Sequence, residues 1–435
     1  MTSVPTGKPR NVLVLAYYFP PLGLSGVQRV AKFVKYLPDS GWNPTVLTAE
    51  PGGYFAFDED LLQELNARDI PIHRTMSLDP TRVFGKSTSV KLPSEGRRQM
   101  LSTLSQWVFL PDNKAGWMPF AYRKAASLLR SGNFDAILST APPYSSHLVA
   151  AKLARKFRLP LVLDYRDDWL GNPRHVYPTR LHKRAHAALE RRAGGQADAI
   201  VTINSVIGRA IHDRLGVPVA VIPQGFDPDD YPTEDSPQVS ADHSPPRSER
   251  LHFIYTGVFY DRQTPEPFLK GLAELIRQKP QVAKRIRATF VGLFPEECRP
   301  LLKELALEKV VDILPYEKHR EAMSRVSEAD VAWLTVGEGP GQHGISTGKL
   351  FAYAGASVPI LGIVPKGAAR EMLEAYGASW VAHPDEPEAI YETLVRILEA
   401  WEKGSLPKPD PAFVAGYDRR ALTGKLADVL DRVTS

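Results

Sequence analysis

The sequence predicts an α/β protein made of two doubly wound halves, and three observations carry that prediction. The chain opens with an apolar run, Val12 to Ala16, that passes through Gly23 and Gly26 and re-emerges at helical spacing in Val27, Val30, Ala31, Val34 and Leu37. Short β-branched runs then alternate with helical patterns to residue 231, as in βαβ units. A Ser-, Pro- and charge-rich stretch, 232–250, has no periodicity, and beyond it the alternation restarts at Phe253 to Thr256.

Each element has its own signal. The two glycines of the first turn let the backbone bend tightly, and the free amides of the helix behind them favour an anion, so this loop suits a phosphate or a sugar. Gly41-Trp42-Asn43-Pro44 reads as a turn into a strand at Thr45 to Thr48, and Ile70 to His73 as another. Thr75 to Gln99 is polar, basic and unpatterned, which reads as a mobile excursion. A helix through Tyr122 to Leu129 stops at Gly132, and the strand Ala136 to Ser139 follows.

In STAPPYSSHLVAAKLARKF, Ser145 and Ser146 are placed to cap a helix bearing His147, which reads as packing or a cap. Leu161 to Leu163 delivers Asp164-Tyr165-Arg166-Asp167-Asp168-Trp169 at a strand's C-terminal end, where open α/β sheets bind ligands. Four charges there are costly unless paired or used. Two readings stay open: an internal Arg166–carboxylate pair that fixes the loop, and direct ligand contact. Arg174 to Arg192 holds six basic residues and one acid, Glu190, among Leu181, Ala185, Ala188 and Leu189. This basic amphipathic helix reads either as a solvated face or as a contact for anionic lipid headgroups.

In the second half the strands expected are Phe253 to Thr256, Ala288 to Val291, Val310 to Leu314, Val331 to Thr335, Val358 to Leu361 and Trp380 to Ala382. A helix at Arg419 to Val433, after the hinge KPDPAF, must dock on one of the halves.

Composition bounds the function. With 435 residues, 43% of them hydrophobic and 24% charged, the chain is globular and large enough for two or three domains. The net charge of +5 is small for this length and does not by itself argue for nucleic acid as partner; local clustering matters more. The single cysteine, Cys298, excludes an internal disulfide and a cysteine metal cluster. The stretch MTSVPTGKPRN lacks an apolar core and no run of membrane-spanning length occurs, so a cytoplasmic protein is expected, with membrane association on the cytoplasmic face left open.

The motifs YYFPPLGLSGVQRVAKFVKYLPDSGWNPTVLT, TAPPYSSHL, DYRDDW, IPQGFDP, YTGVFY and KLFAYAGASVPIL stand in an order that resembles the retaining, nucleotide-sugar-dependent glycosyltransferases of family 4, in their bacterial polysaccharide type. The resemblance implies a GT-B fold: two Rossmann-like domains facing across a cleft. It implies an acceptor-binding domain at 1–231, a linker at 232–250, a nucleotide-sugar-binding domain at 251–408, and a segment 409–435 that crosses back to the first domain. It implies transfer of a sugar from a nucleotide-diphosphate sugar to an acceptor hydroxyl of a glycan, glycolipid or natural product, with no cofactor, no metal and no nucleic acid. Peripheral membrane contact would run through Arg174–Arg192.

Carried over by residue, it implies that Gly23, Ser25 and Gly26 face the donor. Gly257, Gly344, Ser346, Thr347, Gly348 and Leu350 would hold its nucleotide side. Many members carry Arg directly after the glycine and Lys six residues after it, where this chain has Val258 and Gln263. Arg262 is the substitute cation, with Lys349 as its partner at the diphosphate. Asp167 is the third catalytic candidate, and Arg166, Tyr144 and Trp169 are the acceptor-side candidates.

The chain departs from the family at its acidic pair: the two glutamates common eight positions apart are here Gly344 and Ala352. The departure is compatible with a deoxyribose donor, with a substitute acid such as Glu338, or with a degenerate protein that binds a nucleotide or a partner transferase without turnover. Gln224 replaces an Asn common in the interdomain turn and keeps its amide.

Overall fold

The computed structural model describes residues 9–23, 25–52, 57–80, 103–172, 175–232, 249–259 and 262–435, with the backbone alone at Ser25. Several expectations therefore lie outside the described residues: the excursion beyond residue 80, linker positions 233–248, Tyr260 of YTGVFY, Arg174 and the Ser25 side chain. The chain divides into two compact units, one of Met1–Gln224 with Arg419–Ser435, the other of Gly225–Asp418.

The first unit holds a parallel sheet in the order β3-β2-β1-β4-β5-β6-β7. Its strands are β1 Arg10–Leu15, β2 Trp42–Ala49, β3 Ile72–Thr75, β4 Ala136–Ala141, β5 Leu161–Tyr165, β6 Ala199–Thr202 and β7 Val219–Val221. Near-continuous apolar strands such as VLVL are what a sheet covered on both faces demands, and Val12 to Leu15 are fully buried. The order reverses between β1 and β4, the point at which such sheets take ligands beyond their C-terminal strand ends.

The helix Ser25–Tyr36 is buried almost all round, because Glu59–Asn66 and the C-terminal helix Arg419–Thr434 pack on it. Leu422, Leu426, Val429 and Leu430 share a core with Val12, Val14, Val30 and Val34. Trp42 Nε1 adds a hydrogen bond to Asp431 Oδ1 at 2.9 Å.

The second unit repeats the plan with six parallel strands, β10-β9-β8-β11-β12-β13. They are β8 Leu251–Val258, β9 Ile286–Leu293, β10 Val311–Leu314, β11 Val331–Thr335, β12 Ile360–Ile363 and β13 Ser379–Ala382. One face is aromatic: Trp333 stacks on Phe268 at 4.2 Å, and Tyr255 on Phe259 at 4.1 Å. Residues 225–231 and 409–418 also belong here. Phe226 N donates to Tyr417 O, and Tyr231 Oη donates to Ala352 O at 2.6 Å.

Two local expectations change. β2 begins at Trp42 rather than after Pro44, because proline is tolerated near a strand's start and Trp42 is buried. The helix Ser145–Phe157 has no serine cap; its first amide, Ser145 N, donates to Asp112 Oδ2 at 2.9 Å, from 33 residues upstream.

Candidate active site

In the first unit the loops after β1, β4 and β5 meet at the switch point, and buried charge organises them. Arg29, on the helix behind the first loop, holds Asp164 at the end of β5: Nη2 to Oδ1 is 2.9 Å and Nε to Oδ1 is 3.1 Å. Thr140 Oγ1 donates to Asp164 Oδ2 at 2.9 Å, and Arg29 Nη1 donates to Pro223 O at 2.7 Å. One ion pair thus ties β4, β5, the first helix and the turn after β7 together.

Arg166 makes no carboxylate pair among the described residues. Its guanidinium donates to three backbone carbonyls, those of Ala141, Pro142 and Gly26. That contact explains Gly26, where a Cβ would stand 2.9 Å from Arg166 Nη1. Asp168 is taken up by Arg214, which also binds Glu190 at 3.0 Å. Asp167 alone in this run is half-buried with no hydrogen bond or ion pair from its carboxylate among the described residues.

The side chains expected to meet an acceptor, Trp169, Tyr144 and Arg166, are all buried. Trp169 is fully buried, stacks on buried Tyr144 at 4.4 Å and donates from Nε1 to His186 Nδ1 at 3.0 Å. A flat ring pair sealed in this way supports the loop from beneath. Arg166, at 7% exposure, spends three of its five N–H donors on backbone carbonyls. His147 is fully buried, with Nδ1 3.0 Å from Ser139 Oγ, and burial lowers its pKa to about 3.

One network escaped the sequence reading. Tyr17 Oη donates to Asp79, whose other oxygen receives Lys114 Nζ at 3.1 Å; both charged side chains are buried. Burial and the Asp79 bond push the Tyr17 phenol well up. The only trace in sequence is Lys114 between Asp112 and Gly116, since Asp79 stands 35 residues away.

In the second unit the corresponding edge lies beyond β8 and β11. Gly257 and Gly292 are register partners with φ of 106° and 129°, a region that favours glycine. A Cβ on Gly292 would stand 2.3 Å from Gly257 O, so the ends of β8 and β9 approach each other where only glycine fits.

Lys349 reaches this place from the first turn of the helix Gly348–Gly355. Its Nζ donates to Val258 O at 3.2 Å and lies 5.0 Å from the Tyr255 ring centroid. Thr347 caps that helix by accepting from Lys349 N at 3.3 Å. Arg262 is exposed, and its Nη1 donates to Glu338 O at 3.0 Å, in the loop after β11. A guanidinium and an ammonium therefore reach the C-terminal ends of two neighbouring strands, Arg262 from the segment after β8 and Lys349 from the helix Gly348–Gly355.

Val258 and Gln263, at the positions of the usual cations, are both buried. Leu350 is a core side chain at 0% exposure, which leaves only its backbone for a ligand. Gly344, Ser346, Thr347 and Gly348 are half-buried along the loop that leads into this helix. Glu338 lies 3.2 Å from His383 Nε2, a partner the sequence reading did not foresee. Among the described residues no three His, Cys, Asp or Glu side chains are grouped to hold a metal ion.

Two parallel, doubly wound units, each with a strand order that reverses beside its first strand, match the architecture of GT-B glycosyltransferase structures. Residues 25–230 match the family described as Glycosyltransferase Family 4, from the first helix to the turn Pro228–Asp230, which is just under half of the chain. HepE from Anabaena, crystallised with UDP-glucose, is similar in structure with a TM-score of 0.63 at 17% identity, over 97% of this chain and 99% of that one. Sucrose-phosphate synthase from Thermosynechococcus elongatus matches at 0.57 and 14%, over 98% and 96%. The α,α-trehalose 6-phosphate synthase from Burkholderia multivorans matches at 0.60 and 13%, over 98% and 99%. These are likenesses of fold. No curated protein matches the chain.

Proposed function

We propose that this protein is a retaining, metal-independent glycosyltransferase that moves a sugar from a nucleotide-diphosphate sugar to an acceptor hydroxyl of a glycan, glycolipid or natural product. The observation that carries the reading is that Lys349 and Arg262 both reach the C-terminal edge of β8 and β11, through Val258 O and Glu338 O, beside the Gly257–Gly292 contact. When the bond between the sugar's anomeric carbon and the phosphate oxygen breaks, negative charge gathers on the diphosphate. A fixed ammonium and guanidinium stabilise that charge. In a same-face substitution the new bond forms between the anomeric carbon and the acceptor oxygen, and the acceptor's proton passes to the departing phosphate, so no protein nucleophile is required.

The family match over residues 25–230 and the UDP-glucose bound by the Anabaena HepE structure support a nucleotide-sugar donor. On the first unit, Asp167 is the carboxylate left over for the acceptor or the reacting sugar, since Asp164 and Asp168 are committed to arginines. A second reading, nucleotide binding without turnover, draws on Gly344 and Ala352 in place of the two glutamates.

Calorimetric titration of the full chain with UDP, GDP, ADP, CMP and dTDP in the absence of metal tests both. Tight binding of one nucleotide, with release of that nucleotide from its sugar donor, is the expected result. Binding without release supports the second reading, and binding of none overturns both. Asp167→Asn should then depress transfer and leave nucleotide affinity nearly unchanged.

A further inference from the structure

Large exposed apolar side chains collect in one part of the first unit. Leu104, Trp107, Val108 and Leu110 belong to a helical turn at 103–108 and the chain leaving it, while Val176 and Leu181 flank the start of the helix Arg180–Gly194. Leu181 is 74% exposed, Val108 69% and Trp107 53%. The two segments are joined: Val176 N donates to Gln106 Oε1 at 2.6 Å, and the Trp107 ring stands edge-on to His182 at 5.6 Å. Isolated exposed leucines need no explanation, but a tied group bearing a tryptophan does.

The helix beside this group has two unlike faces. His186, Glu190, Ala193 and Gly194 point inward, and the helix's one acid, Glu190, is buried on Arg214. The outward arc carries Arg180, Leu181, Arg184, Ala188, Arg191 and Arg192, all exposed. None of these arginines forms an ion pair among the described residues, and no acid shares the arc. Of the apolar residues in this helix, Leu181 and Ala188 face outward with the arginines, while Leu189 packs against the core.

We propose that this face is a docking surface for an anionic lipid bilayer, with Trp107, Val108 and Leu181 entering the headgroup boundary and the arginine arc held to lipid phosphates. Charge complementarity selects this occupant. A row of arginines without a single acid suits a dense anionic plane, and tryptophan with small aliphatics is the chemistry of the water–lipid boundary. Among the described residues no helix is long and apolar enough to cross a membrane, so the attachment is peripheral.

Sedimentation of the full chain with vesicles tests the proposal independently of any transfer activity. Vesicles containing phosphatidylserine should carry the protein down at low salt, and phosphatidylcholine alone should carry little. The triple variant Arg184→Gln, Arg191→Gln, Arg192→Gln should weaken anionic binding roughly a hundredfold and flatten its salt dependence. Trp107→Ala with Leu181→Gln should weaken binding at every salt concentration. Unchanged circular dichroism in both variants excludes misfolding. Failure of the full chain to bind anionic vesicles at low salt overturns the proposal. So does binding that neither variant changes, or light scattering that shows the face covered by a second copy of the chain.

Discussion

Arg29 and Asp164 form a 2.9 Å ion pair from which water is excluded on both sides, 135 residues apart in sequence. Burying two charges is costly, and the pair persists because each member has a further partner, Pro223 O for Arg29 and Thr140 for Asp164. Removing one member leaves the other charged and unpaired. Arg29→Met should therefore destabilise the first unit by about 3–5 kcal/mol in urea unfolding, whereas Arg29→Met with Asp164→Leu should recover much of the loss. Equal losses in the single and double variants would show that packing, not charge, dominates.

The two cations of the second unit make a separate prediction. Arg262→Ala and Lys349→Met should each weaken nucleotide-diphosphate affinity by about 1.5–3 kcal/mol, as expected for a charge-assisted contact to phosphate. Lys349→Met keeps the apolar stem against Tyr255, so thermal unfolding should move little while calorimetric affinity falls. Unchanged affinity in both variants would remove the diphosphate from this edge.

A third prediction concerns acid. Burial lowers the His147 pKa to about 3, against an ordinary value of 6.5. Between these values the unfolded chain binds a proton that the folded chain refuses, so stability falls as pH drops below about 6.5. The decline from pH 7 to pH 5 attributable to this ring is on the order of 1–2 kcal/mol. His147→Gln should flatten the pH dependence by that amount in urea titrations at the two pH values. An unchanged slope would place the acid sensitivity elsewhere.

The strands were legible because a sheet covered on both faces needs unbroken apolar runs, and VLVL, LVL and AIVT advertise them. Gly257 and Gly292 were legible for a similar reason, since a strand end with positive φ admits few residue types. What the sequence could not show was pairing at a distance. Within DYRDDW, an arginine between aspartates reads as a local pair, yet Asp164 belongs to Arg29, Asp168 to Arg214, and Arg166 to three carbonyls. The cap of the helix Ser145–Phe157 failed likewise: two serines stood at the right place, and Asp112 from another loop reached the amide instead. Burial also defeats residue-type reasoning, since Trp169 and Tyr144 are as suited to a binding loop as to its foundation.

The first unit is assembled from both ends of the sequence, with residues 225–418 placed between them as a unit of their own. On a translating ribosome, everything that becomes the second unit therefore leaves the exit tunnel before the first unit's core receives Leu422, Leu426 and Leu430. Until then the helix Ser25–Tyr36 lacks one of its two covers. A released chain that stopped at residue 418 would hold all of the second unit and an unfinished first one, with the apolar surface that Leu422, Leu426 and Leu430 cover left bare.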